Sequence, residues 1–531
     1  MIRLGIFLAA VLTLLSASAQ TNLQPREMSL EDCIETALHH NLDVQIKRLN
    51  PELSHFTLEA AYGAYEPAFA GGAEHDYTRQ PGSVDANGRV IPGAEIESER
   101  YYSGFQGLLP WGLTYNLGIN LSDQRTLRPE VVASGGPTLI TNTFFDVNTG
   151  NNITLVTTNF PASIPAFSTE TFSGQAGFLQ LRQPLLKNFL FDNTRLQILL
   201  DKRNLKISEQ DLRGQVMNSI TAVEQAYFNL IFSQENIKVQ RKALELAERL
   251  LAENKKRVEV GALAPLDEKS AEAQVATSKA DLLNALGGEE TQQRVLKSLL
   301  SDDYSTWGKV AVHPTEPLLA MPQAFKLQES WNTGLNQRPD LIQAKLNVEK
   351  QGYIVRYQKN QLLPQLDVVG TAGYNSAAST FGGYLDQFGG RDNPFYSVGG
   401  QLTVPLGNRS ARNNYKAAIA TRDQIKLQLK QLEQNILIQI ENDIAVARTR
   451  FEQVQATREA QSYAEDALSA EQKKLESGKS TSYDVLLKTR DLTQARVNYI
   501  SALASYNNSL AQLSLDEGST LERRHVKLEW K

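Results

Sequence analysis

Ile425, Leu429, Leu432, Ile436, Ile440, Ile444, Ala447, Phe451 and Val454 recur at spacings of three and four, which places them on one apolar face of a helix. No Pro or Gly interrupts Arg412 to Ser477. A helix of that length would run for roughly 100 Å at about 1.5 Å per residue, far beyond the usual globular helix, and it needs partners along its length. The apolar period resumes at Val485, Leu486, Leu492, Ala495, Tyr499, Ala502 and Leu503. Between the two runs lies a Gly-containing turn within Gln472–Thr489, so the pattern predicts an antiparallel helical hairpin.

A second pattern has period two. Apolar and polar residues alternate over Phe69–Tyr77, Tyr101–Leu109, Thr114–Leu121, Thr171–Leu181, Val368–Tyr374 and Tyr396–Pro405. Lengths near ten residues, with Tyr101, Tyr102, Trp111, Tyr115, Phe172 and Phe178 near the ends, suit membrane-spanning barrel strands as well as a soluble sheet. Gln124 to Thr169 is polar, rich in Thr and Asn and weakly patterned, and reads as a long outward loop.

Both patterns occur twice. At an offset of 297, Leu30, Thr36, Leu38, Asp43, Leu49, Asn50, Glu52, Pro67 and Tyr77 return as Leu327, Thr333, Leu335, Asp340, Leu346, Asn347, Glu349, Pro364 and Tyr374. At an offset of 217, Glu224, Ala247, Leu251, Lys256, Gly261 and Asp267 return as Glu441, Ala464, Leu468, Lys473, Gly478 and Asp484. The chain is therefore read as an internal duplication. The expected organisation is a first repeat over 20–302 (strands about 68–183, hairpin about 189–300) and a second over 325–516 (strands about 366–405, hairpin about 410–513). A linker over 303–324 containing Pro314, Pro317 and Pro322 joins them, and a polar tail over 517–531 extends away from the core.

A chain of 531 residues is too long for one compact core, which agrees with an elongated or repeated design. A net charge of -5 with no basic block argues against a nucleic-acid partner. The single cysteine, Cys33, excludes an internal disulfide framework and is expected to be a buried helix residue. Arg3, the apolar run Leu4–Leu15 and Ala17-Ser18-Ala19 before Gln20 form the pattern of a secretory signal peptide over residues 1–19. No later stretch is apolar enough for a spanning helix, so a membrane crossing would use strands.

In this order these residues resemble the TolC-type outer-membrane efflux proteins, the outer membrane factor family. The elements carrying the resemblance are the breaks at Leu30–Asp43 and Leu327–Leu341, the prolines Pro67 and Pro364 before the first strands, the strand exits at Gln183 and Val404, and the G-x5-D tips at Gly261 and Gly478. The resemblance implies a mainly α protein with a transmembrane β-barrel. In such a protein, duplicated long helical hairpins form a periplasmic tunnel and strands from each copy contribute to one shared trimeric barrel. It implies a homotrimer in outer-membrane lipid of a Gram-negative cell, working with a periplasmic adaptor and an inner-membrane pump. Two departures stand out. Pro67 to Pro184 spans 117 residues against 41 from Pro364 to Pro405, with an extra hairpin turning at Pro110-Trp111-Gly112, so the family's four strands per protomer come into question. The extra pair has two possible places, inside the barrel or outside it. Pro51 also falls in an expected helix, where it predicts a kink or a later start.

Catalytic chemistry is absent from the pattern. The six histidines lack helical ligand spacing, and there is no nucleophile elbow, phosphate loop or dinucleotide fingerprint, so no enzyme activity, cofactor or metal site is expected. The residues of interest are Asp267 and Asp484, each six positions past a tip glycine. Both suit the positive end of the helix that follows. In a trimer they would supply six carboxylates, and the resemblance implies a tunnel constriction at this tip, with Asp484 at a ring position and Leu487 where a second acid would stand. Such a ring would favour cations and bind divalent ions weakly. The small residues Gly261, Ala262, Gly478 and Ser480 make the turns and are candidates for docking an adaptor. The expected function is the passive outer-membrane conduit of a tripartite efflux or type I secretion system. The alternative is a periplasmic coiled-coil adaptor or scaffold without a barrel.

Overall fold

A computed structural model describes residues 24–84, 88–130, 132–133, 135–136, 138–159, 162–261 and 263–527. The expected signal peptide and Ala262 lie outside the described residues. The chain divides into two units.

One unit comprises the chain up to Thr57, Asp201–Gln351 and Thr421 onward. It holds most of two long hairpins, Asn193–Glu259 with Pro265–Leu300 and Arg409–Glu476 with Ser482–Asp516. Each is preceded in sequence by a short helix and a longer one: Leu30–His40 and Leu42–Tyr62, then Leu327–Gln337 and Pro339–Asn360. The helix over Leu42–Tyr62 passes through Pro51, so the later start expected there is not seen.

The apolar periods become cores. Ile436, Ile440 and Ile444 close on Leu341 and Leu513, while Ala447 and Val454 pack with Ala502, Leu503, Tyr506 and Leu510. In the first repeat Cys33, Ile34 and Ala37 pack with Val216, Ile220, Tyr227 and Leu296. Burial pushes the Cys33 thiol up to about 12, so it stays protonated and unreactive at neutral pH. The duplication reaches single hydrogen bonds. Asn41, between the short and long helices, donates from Nδ2 to the Leu299 carbonyl at 3.0 Å, and its counterpart Arg338 donates from Nη1 to the Asp516 carbonyl at 3.1 Å.

Two expectations change here. The linker is not featureless: Val310–Pro314 forms a strand parallel to Gln24–Met28, with Gln293 bonded to both backbone groups of Val312. The alternation Val310, Val312 is too short to register as a strand without its partner. The tail does not all extend away, because Leu521 enters the first core, Arg523 donates to the Leu510 carbonyl, and Arg524 pairs with the buried Glu224.

The other unit comprises Leu58–Leu200 and Gly352–Ala420. Its centre is one antiparallel sheet of six strands in the order Pro394–Thr403, Gln365–Ala378, Ala166–Pro184, Thr114–Pro129, Glu95–Leu108, Ala68–Arg79. The extra pair of strands is thus continuous with the rest. Gln124 to Thr169 is not a plain loop. Flanking strands extend into it, and Thr138–Asp146 pairs with Asn151–Asn159 as a further hairpin. Thr, Ile, Val and Phe in those nine-residue strands favour extended backbone, and the register gathers Ile140, Phe144, Ile153 and Leu155 on one face, which the reading of polarity passed over. A helix over Phe381–Gly390 packs on the sheet through the buried Tyr384, whose hydroxyl donates to the Asn120 carbonyl at 2.9 Å. No described helix is long and apolar enough to cross a membrane.

Candidate functional site at the hairpin tips

Each long hairpin turns on a glycine in the left-handed region. In the second, the helix ends with Gly478 N–H on the Leu475 carbonyl and Lys479 N–H on the Lys474 carbonyl, a Schellman closure that needs the φ of +70° found at Gly478. In the first, Gly261 has φ +71° and its N–H reaches the Val258 carbonyl. Both glycines stand in open space.

The return helices start differently. Thr481 caps Ser482–Asp516: its hydroxyl accepts from Asp484 N–H at 3.2 Å and donates to Asp484 Oδ2 at 2.6 Å, while its own N–H reaches the same carboxylate oxygen. The Thr481 hydroxyl and backbone donors hold the Asp484 carboxyl below the usual range, so it is ionised at neutral pH. Ser480 turns inward on its own hairpin, donating to Glu471 at 2.5 Å, and Lys474 pairs with that glutamate at 2.9 Å. The first return helix has Pro265 in its opening turn and an N-cap, Ala264, with no side chain to offer. Asp267 sits in that first turn beside Glu268, and Lys255 lies 4.0 Å from Glu268 and 3.6 Å from Glu272.

Asn254 brings the two tips together. Buried to 1% exposure, it accepts from Ser482 Oγ at 2.8 Å and donates to the Asp267 carbonyl at 3.5 Å. Beside it, Leu250 packs among Leu468, Leu475, Val485, Leu486 and Leu492 of the second hairpin. Asp267 and Asp484 therefore belong to helix starts tied to one buried amide. Leu487, one turn past Asp484, is exposed. The sequence reading missed Thr481, although its T-x-x-D spacing to Asp484 is a capping signal, and nothing in the sequence marks Asn254, whose role depends on its burial.

The chain that builds these two acidic hairpin tips on a duplicated helical frame matches the family described as outer membrane efflux protein over residues 162–301 and 332–516, more than half its length. The chain belongs to that family. It is 24% identical over 299 residues to the cobalt-zinc-cadmium resistance protein CzcC of Cupriavidus metallidurans, covering 55% of this chain and 64% of the relative. It is 25% identical over 309 residues to the outer membrane protein TolC of Vibrio cholerae, covering 57% and 68%. Among solved structures, the Campylobacter jejuni CmeC outer membrane channel shares its fold with a TM-score of 0.62 at 18% identity, over 92% of this chain and 86% of that one.

Proposed function

We propose that this chain is the outer-membrane channel of a tripartite efflux or type I secretion system. It is a passive homotrimeric conduit in the outer membrane of a Gram-negative cell, with its helices in the periplasm. It performs no turnover and holds no cofactor; an inner-membrane pump supplies the energy and a periplasmic adaptor joins the two. The observation that carries this reading is the coexistence of long helices too polar to span a membrane with an antiparallel sheet that is apolar on one face and polar on the other. The resistance named for the Cupriavidus relative makes toxic metal cations one cargo class to assay beside organic toxicants.

Asp484, with Asp267, narrows and charges the inner end of the conduit. The Thr481 cap keeps Asp484 ionised and fixes its carboxylate, which favours passage of cations and weak binding of divalent ions. The tips around Gly261, Ala262, Gly478 and Ser480 dock the adaptor. The first test is membrane extraction. Alkaline carbonate should leave the protein in outer-membrane fractions; quantitative release would favour a periplasmic scaffold instead.

A further inference from the structure

The six-stranded sheet has two free edges among the described residues. Ala68–Arg79 pairs only with Glu95–Leu108, and Pro394–Thr403 pairs only with Gln365–Ala378. Their open backbone groups need partners inside a bilayer, where no water can serve them. Resting on the membrane reading above, we propose that each chain contributes all six strands, so that three copies close one 18-stranded barrel. The joint is antiparallel pairing of Ala68–Arg79 of one copy with Pro394–Thr403 of the next.

Strand direction permits this. All five pairings in the sheet are antiparallel, so the two edge strands of one copy run in opposite directions. Copies related by rotation about the barrel axis then meet edge to edge with the alternation unbroken, which only an even number of strands per copy allows.

Side-chain alternation requires the extra hairpin to sit in the wall. Following the register across the sheet, one face carries Phe69, Phe105, Leu117, Leu179, Ala372 and Tyr396 in a row. Rows to either side on that face add Ile119 and Tyr101 in one direction and Val398 and Val368 in the other, all exposed, with Tyr396 and Val398 at 85% and 81%. The opposite face carries Gln106, Asn116, Gln180, Thr371 and Ser397, and the Thr371 and Ser397 hydroxyls meet at 2.6 Å. The apolar row therefore runs unbroken from one edge to the other and includes the strands beyond Thr114–Pro129. A hairpin folded outside the wall would have no use for an apolar band in register with its neighbours. Edge strands of 12 and 10 residues are long enough to cross at the usual tilt.

The consequence is width. Barrel diameter grows roughly linearly with strand number, so 18 strands enclose about one and a half times the diameter of 12, roughly 36 Å between backbones at ~4.8 Å spacing and ~40° tilt. That is porin-like, and the strand region then offers little resistance to flow.

Disulfide scanning in intact outer membranes tests the joint, because the lone native Cys33 is buried and silent. Ala70→Cys and Asp76→Cys would each be combined with Ser397→Cys, Gly399→Cys or Gln401→Cys, all on the polar face. Asn116→Cys and Asn120→Cys would be combined with the same three. After oxidation, covalent dimers and closed trimers should form in the first set and none in the second. Linkage through Asn116 or Asn120 instead would mean that Ala68–Arg79 and Glu95–Leu108 lie outside the wall and Thr114–Pro129 is the edge of a 12-stranded barrel, and would overturn the proposal. Absence of linkage at every register of the first set would overturn it as well. Release of the unsubstituted protein by carbonate would remove the membrane reading itself, an outcome distinct from either of these.

Discussion

The two halves of the chain repeat their helices closely and their strands loosely. Asn41 and Arg338 hold matching carbonyls across an offset that also relates Leu30 to Leu327. Yet the first half gives four strands to the sheet and the second gives two. Helices packed on several sides must keep volume and spacing, since a misplaced methylene is felt throughout a close-packed core. A sheet wall needs only alternation and paired edges, and a hairpin adds both while leaving the edge directions unchanged. The tips differ by a similar logic: Thr481 caps the second, whereas Pro265 pre-sets the first.

The largest effect expected from this comparison concerns the apolar face. Phe105→Arg in the first half and Val398→Arg in the second should each destabilise the inserted protein by about 2–4 kcal/mol near the bilayer midplane. Urea titration of trimers folded into vesicles measures this. A harmless Phe105→Arg beside a damaging Val398→Arg would place the extra hairpin outside the membrane. Next is the tie between hairpins. Asn254→Ala leaves a buried hydroxyl and a carbonyl without their partner, at a cost of about 1–3 kcal/mol, and hydrogen exchange should accelerate at both tips together. Exchange confined to one tip would break the link drawn between them.

A smaller effect separates the tips from each other. Thr481→Ala should loosen the second return helix by about 1 kcal/mol, and Ala264→Ser, placed on an extended N-cap backbone, should firm the first by a similar amount. Local exchange rates around residues 265–270 and 482–487 report both changes. The smallest concerns an acidic pair in the second half. Burial first, then the neighbouring Asp516, pushes Asp443 up to about 7, with Arg338 pulling the other way. The folded state thus keeps a proton that the unfolded chain, titrating near 3.8, has released, so this group lowers stability as pH rises from about 4 towards 7. Asp443→Asn should gain on the native protein over that interval in thermal melts. A difference independent of pH would contradict the assignment.

Much of the helical frame was legible because apolar spacing and tip glycines are local signals that repeat. Ile436, Ile440, Ile444 and Val454 all turn inward as their period required. The parts that escaped depend on distant partners. Val310–Pro314 becomes a strand only beside Gln24–Met28, Leu521 is core only because the first repeat receives it, and Asn254 looks like any surface amide until two helices bury it. The hairpin Thr138–Asp146 with Asn151–Asn159 escaped for another reason, since Thr and Asn between Ile140, Phe144, Ile153 and Leu155 make its alternation resemble a polar loop.

Single-channel recording of the purified protein in a planar bilayer, native beside Asp484→Ala, tests the conduit and its constriction together. The account expects discrete conductance whose reversal potential in a salt gradient marks cation preference, with that preference and block by divalent ions reduced in Asp484→Ala. Because Thr481 holds the carboxyl below its usual range, the preference should persist to acidic pH before failing. Unchanged reversal potentials would remove Asp484 from the constriction. Folded protein that forms no channel at all would contradict the conduit itself.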